Sequence, residues 1–251
     1  MDTLKSMEEN EKILRVLADT AFSKGFDIDQ DSLTPEDIFI DNLLVLLKSP
    51  RSFAYPFPRL TGLDSAYNPW KISIIYSDDS LLRIFNWLSP TTGTWHHYPA
   101  IFQAKNIRGR ILSWDAEGAK GEGDQASTFY DSLFSLRSKG RQLYLCIGSG
   151  QGSGRLPFEI AETYEIAGDS IRGSNILPDS GKMGSSIFID LESMAYDSAS
   201  QDIPDLTFNK KKQILKIPEI KGDESLPENI RWTGQFLLYK FDGRKFIRQK
   251  Q

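Results

Sequence analysis

Residues 71–87, KISIIYSDDSLLRIFNW, decide the fold. Apolar side chains alternate with polar ones in "KISIIYS" and again in "LLRIFNW", the period of a strand whose successive residues point to opposite faces. Asp78 and Asp79 stand between the two runs, and their short acidic side chains bond the local backbone, so the stretch predicts an antiparallel hairpin. Before it the apolar period is 3.6. After it the period stays near 2 to the end of the chain.

The alternating runs downstream are "TWHHYPAIFQAK", "RGRILSW", "FYDSLFSL", "RQLYLCIG", "PFEIAETYEI", "SSIFIDLE", "QILKIPEI", "GQFLLYKF" and "RKFIRQ". No helical segment separates them, which argues against a parallel, doubly wound sheet. The expected fold is mainly β, an antiparallel meander forming a sandwich or barrel, with two N-terminal α-helices. The whole chain, 1–251, is expected to be one domain, with a helical segment over 1–50 packed on a β domain over 51–251. About a dozen strands would make only three propeller blades, and no fixed-period repeat is present. In the last hairpin, Asp242-Gly243 is placed as a type I′ turn. Three longer connections, "DAEGAKGEGDQ", "SMAYDSASQDIPD" and "KGDESLPENIR", read as loops.

Residues 3–24 predict an amphipathic helix. Ser6 and Glu9 have capping-box spacing, Leu4, Met7, Leu14, Leu17 and Ala21 recur at helical intervals, and Gly25 ends it. The second helix starts at Thr34-Pro35, with Glu36 and Asp37 suited to the N-terminal dipole. Its body, "IFIDNLLVLLK", is apolar over much of its circumference and calls for burial against a sheet or the first helix. An exposed apolar stripe there would instead be a surface for docking another protein.

Composition removes several functions. Thirty basic against 34 acidic residues leave a net charge of −4, so no overall field draws the chain to nucleic acid. The single cysteine, Cys146, sits inside "LYLCIG", the setting of a small buried hydrophobe rather than a reactive thiol. No apolar run approaches the roughly 18 residues that span a bilayer. The charged start "MDTLKSMEENEKILRV" is not a signal peptide, which fits a cytoplasmic chain or a periplasmic or cell-envelope one already processed.

The glycine cluster Gly148–Gly154, "GSGQGSG", follows an apolar strand and so invites a phosphate-loop reading. A dinucleotide fingerprint would need glycine where Ser153 stands, and Phe158, Ile160, Tyr164 and Ile166 continue as a strand where a helix would have to open. A hairpin loop is expected instead. His96 and His97 are the only histidines. On a strand they would face opposite sides and could not jointly hold a metal ion, so no metal and no cofactor is expected. If either acts, it is the one sharing a face with rings: His97 with Trp95, or His96 with Tyr98.

No "GxSxG" elbow is present. Carboxylates are paired at Asp78 and Asp79, Asp115 and Glu117, and Glu122 and Asp124, in turns and loops where acidic residues belong in any case. Lys210, Lys211 and Lys212 read as a turn, and Arg244, Lys245, Arg248 and Lys250 as protection of an edge strand.

The run "SDDSLLRIFNWLSPTTGTWHHYPAIFQAK", with "FAYPFPRL" before it and "YKFDGRKF" near the end, resembles an uncharacterised group of β-rich, often exported proteins of Bacteroides-type bacteria. The resemblance implies an extracytoplasmic location and no particular activity. From the residues, the expected function is non-catalytic binding of a carbohydrate or peptide. Trp87, Trp95, Tyr98 and Phe102 would form an aromatic platform beside His96 and His97. The competing expectation has these rings filling the core. The enzyme alternative is a hydrolase using paired carboxylates, or a histidine with a carboxylate.

Overall fold

The computed structural model describes residues 6–23, 34–61, 72–89, 96–115, 127–151, 157–179, 181–191, 203–223 and 226–250. Two helices, α1 (Met7–Ser23) and α2 (Pro35–Leu47), are followed by the single turns α3 (Pro50–Phe53) and α4 (Pro58–Thr61). Both long helices open as their sequences require. The Ser6 N–H donates to the Glu9 carboxylate at 2.8 Å and the Glu9 N–H to Ser6 Oγ at 3.2 Å. Thr34 and Asp37 form the same reciprocal pair at the start of α2, which satisfies N–H groups that the helix cannot pair internally.

The predicted hairpin is β1 (Ser73–Tyr76) and β2 (Leu82–Asn86); with β3 (Ala100–Lys105) and β4 (Ile111–Asp115) it forms a four-stranded antiparallel sheet in chain order. The second sheet contains β5 (Phe129–Leu136), β6 (Gln142–Gln151), β7 (Pro157–Ala167), β8 (Ser170–Gly173) and, after the small hairpin of β9 (Leu177–Asp179) and β10 (Lys182–Gly184), β11 (Ser186–Asp190). Its order is β11-β7-β6-β5, with β8 paired to the far half of β7. Thr163 marks the exchange of partners along β7, its N–H donating to Ser185 O at 2.7 Å and its hydroxyl to Ser174 O at 2.6 Å. A third sheet follows in chain order: β12 (Thr207–Asn209), β13 (Ile214–Asp223), β14 (Leu226–Phe241) and β15 (Phe246–Arg248). The mainly β, antiparallel expectation holds, and the sheets stack face to face without closing a barrel.

Strand alternation produces the stack. In β2, Leu82 and Ile84 join Ala100 and Phe102 against Tyr144, Cys146 and Tyr164 of the second sheet. Phe85 and Trp87, on the other face, pack with Phe39, Leu43 and Leu47 of α2. In β6, Leu143, Leu145 and Ile147 turn toward Phe208, Leu215, Ile217 and Phe246 of the third sheet. The order of layers is therefore helices, first sheet, second sheet, third sheet, with three apolar cores between them. Each fully buried Leu, Ile or Phe contributes about 1.5–3 kcal/mol.

Two apolar faces per sheet leave few places for polar groups, and most of those present are paired; among the described residues Trp114 Nε1, Thr128 Oγ1 and Gln142 Oε1 are the buried exceptions. Arg83, Gln103 and Ser113 lie in register across β2, β3 and β4 and point to the helices. Ser113 Oγ donates to Leu44 O at 3.0 Å, Gln103 Nε2 to Leu47 O, and the Arg83 guanidinium to Ser52 O at 2.6 Å and Tyr55 O at 2.9 Å. Those carbonyls end α2 and surround α3, where a helix leaves acceptors without internal partners. Arg83 Nε also donates to Gln103 Oε1 at 2.7 Å, and the Phe85 and Phe57 rings lie 4.9 and 5.3 Å from its guanidinium carbon. The cation is thus satisfied by carbonyl dipoles and ring faces.

Between the first two sheets, Tyr130 donates to the Glu162 carboxylate, and Tyr164 lies 3.0 Å from Tyr130 and 3.3 Å from Glu162. Burial first, then the neighbouring hydroxyl and carboxylate, hold the Tyr130 phenol far above its ordinary range. It stays protonated and remains a donor.

Several expectations need correction. Residues 96–99 precede β3 instead of forming part of it, because Pro99 cannot donate to a ladder. Gly148 and Gly150 lie inside β6 and not in a loop. A Cβ on Gly148 would sit 2.4 Å from Phe129 O, and one on Gly150 2.1 Å from the Phe158 ring, so close approach of neighbouring chain explains both. The stretch 221–231, read as a loop, is mostly the end of the β13–β14 hairpin. Asp242-Gly243 belongs to a four-residue turn, not a type I′ one, since Phe241 pairs with Phe246. There the Asp242 carboxylate accepts the Arg244 and Lys245 N–H groups at 2.8 Å each. "DAEGAKGEGDQ" beyond Asp115 and most of "SMAYDSASQDIPD" lie outside the described residues.

Replacing Arg83 with Met is expected to destabilise the fold by about 3 kcal/mol or more, because buried carbonyls lose charge-assisted partners. Arg83→Lys should recover less than half, since one ammonium cannot reproduce a planar fork reaching three acceptors. Urea unfolding of the three proteins checks this; a Lys variant as stable as the parent would show that charge alone suffices.

Candidate functional site

The predicted platform is only partly available. Trp87 has 0% of its surface exposed. It fills the core against α2, meeting Phe39 edge-on at 5.4 Å, while its indole N–H donates to Glu36 Oε1 at 2.8 Å. Ser89 Oγ donates to the other Glu36 oxygen at 2.6 Å. Trp87 is therefore a tie between β2 and the first turn of α2 and cannot meet a ligand. Phe102 is equally sealed, stacked on Trp114. Trp95 lies outside the described residues.

His96, His97 and Tyr98 are half-buried. His96 Nδ1 and the Tyr98 hydroxyl are 3.2 Å apart, as the shared-face expectation for that pair requires. Tyr98 meets Phe129 edge-on at 5.9 Å, and its N–H donates to Ser127 Oγ at 2.5 Å. Burial raises the Tyr98 phenol above its ordinary range, so the hydroxyl stays protonated. His97 O accepts the Ser89 N–H at 2.8 Å, which closes the open end of the first sheet. The pair holds the entry to β3, and among the described residues no three His, Cys, Asp or Glu side chains group to hold a metal ion.

A second aromatic and polar arrangement lies on the third sheet. Where β15 ends against β14, a cleft of about 490 Å³ is lined by Glu219, Gln235, Phe236, Arg248, Gln249 and Lys250, among others, a volume within the range of about 300–1,000 Å³ usual for small-ligand clefts. The cleft follows from an irregularity in β14. Pro218 pairs with Phe236 but Ile220 pairs with Trp232, so β14 carries two extra residues around Gly234, whose φ of +80° only glycine adopts without strain. The bulge bends the strand away and leaves the notch.

The side chains at the notch are held in place. Lys216 Nζ lies 4.1 Å above the Phe236 ring, and Trp232 meets its edge at 5.9 Å. The Trp232 indole N–H donates to Gln235 O at 3.1 Å, and Thr233 Oγ1 donates to Glu219 Oε2 at 3.0 Å. The rim thus combines a fixed ring, a carboxylate, two amides, a guanidinium and an ammonium. From sequence, Arg248 and Lys250 read as protection of an edge strand. Phe236 sits in the alternating run "GQFLLYKF", where nothing distinguishes a surface ring from a core ring.

Carboxylates gather in one further place. Glu159 on β7 accepts the Leu206 N–H at 2.9 Å and so docks the chain leading into β12. Burial raises its carboxyl above the ordinary glutamate range, Leu206 opposes that, and Asp205 and Asp131 add like charge. Such a carboxyl has the character of a general acid, but it is engaged as a structural joint away from the notch.

No family model matches the sequence, and no curated protein or solved structure is significantly similar to it.

The raised Glu159 carboxyl fixes the sign of a pH effect. The folded chain holds this proton more tightly than the unfolded one, so the contribution to stability is full below the ordinary glutamate range and is lost as pH rises through the higher folded value. At pH 7 the ionised group is a net cost. Glu159→Gln, whose amide oxygen still accepts the Leu206 N–H, should raise Tm by about 1–3 °C at pH 7, with the gain closing as pH falls below about 4. Thermal scans at both pH values check it, and a lower Tm for the variant at pH 7 would contradict the assignment.

Proposed function

We propose that the protein is a non-catalytic carbohydrate-binding protein and that the notch at β14 and β15 is its ligand site. The observation that supports this most is the convergence of the braced Phe236 ring with Glu219, Gln235, Arg248 and Gln249 around one cleft. A sugar presents an apolar C–H face that stacks on a ring and adjacent hydroxyls that pair with carboxylate, amide and guanidinium groups. Bracing matters because a ring already in place loses little conformational freedom on binding.

The peptide alternative has weaker support at the same place. A peptide strand added to a sheet edge needs a run of backbone N–H and C=O groups facing outward. On β14 the run is short. Gln249 N–H already donates to Leu238 O at 2.8 Å, and only Phe236 follows before the bulge at Gly234 interrupts the ladder. An interrupted edge is a protected edge.

Screening on a glycan array followed by calorimetry tests the proposal. Binding to at least one glycan class is expected. Arg248→Ala and Gln249→Ala, both near the surface, should each weaken it by about tenfold or more. Absence of binding to any glycan, or affinity unchanged by both substitutions, would refute it.

A further inference from the structure

The outer face of the helix layer carries apolar residues that the core does not use. In α2 the buried face is Phe39, Leu43 and Leu47, while Ile38 is 38% and Val45 69% exposed. In α1, Ile13 is 40% and Val16 63% exposed. Between the two helices runs a groove of about 700 Å³ lined by Met7, Asn10, Ile13, Asn42, Val45 and Leu46, among others. Single exposed apolar residues are ordinary, but Ile13 of α1 and Val45 of α2 line the same groove, and exposed apolar side chains that adjoin across two helices mark a contact surface.

Charge placement indicates the occupant. The charges of α1 are spent within the helix or nearby, Lys12 pairing with Glu8 at 3.4 Å and Arg15 with Asp19 at 2.9 Å. Along the exposed face of α2 the order is Asp37, Ile38, Asp41, Asn42, Val45 and Lys48, with Arg51 just beyond. The face is acidic at its start, apolar at its middle and basic at its end. Among the described residues, Asp41, Lys48 and Arg51 have no ion-pair partner. A pattern of this kind is complementary to its own reversal.

We infer that a second copy of this chain docks on this face, α2 against α2 in antiparallel array about a two-fold axis near Val45. The two Val45 side chains meet at the axis, and each Asp41 faces the partner's Lys48. In a closed two-fold interface one patch serves both subunits, so every contact is made twice. The exposed Ile13 and Val16 of α1 flank the contact and complete a four-helix layer.

Sedimentation equilibrium from about 1 to 200 μM protein tests the inference, with circular dichroism confirming that each variant folds. The expected parent is a dimer at the upper end of this range. Val45→Glu should abolish association, and Asp41→Lys or Lys48→Asp should each weaken it by about tenfold by setting like charges together. The double variant Asp41→Lys, Lys48→Asp should return to within about threefold of the parent. A chain monomeric throughout the range, a dimer indifferent to Val45→Glu, or a double variant no better than the single ones would each overturn it.

Discussion

The helix layer depends on a polar row built into an apolar sheet. Helices α2 and α3 end against the first sheet, where their last carbonyls are buried or partly buried, and a buried acceptor left unpaired costs about 1–3 kcal/mol. Arg83, Gln103 and Ser113, adjacent on β2, β3 and β4, supply the donors. Their register is fixed by the β2–β3 and β3–β4 ladders, so helix position and strand register are set together. A slip of one residue would turn all three donors toward the second sheet and leave Phe85 and Trp87 on the wrong face.

The same logic recurs one layer down. The second sheet is covered on both faces, and its buried Glu162 is matched by the Tyr130 and Tyr164 hydroxyls. The outermost surfaces are released from this demand. On the third sheet, β14 departs from regular pairing at Gly234 and forms a cleft. On the helix layer, α2 turns Ile38 and Val45 outward. Both surfaces assigned a binding role lie on these outer layers, where an irregular strand or an unpaired apolar side chain does not disturb the cores.

Much of the architecture was legible in the sequence, because period and capping are local. The 71–87 hairpin, both helix starts and the antiparallel class follow from alternation, from Ser6 with Glu9, and from Thr34 with Pro35. What stayed hidden is set by layers that meet at long range. Alternation marks Arg83 as a polar position but does not reveal that the polar side of "LLRIFNW" faces helices rather than water. Trp87 and Phe236 are both rings in alternating runs, yet one is sealed beneath α2 and the other braces an open notch. The bulge that makes the notch lies at a single glycine, Gly234. His96 Nδ1 and the Tyr98 hydroxyl adjoin, although the backbone there is irregular and not the strand that alternation predicts.

Native-state amide hydrogen exchange measures the central coupling most directly. If the polar row joins the helix layer to the first sheet, the core amides of α2 and those of β2 and β3 open with the same free energy and the same denaturant dependence, as one cooperative unit. Exchange of α2 by a separate, lower-energy opening while β2 and β3 stay protected would contradict that coupling.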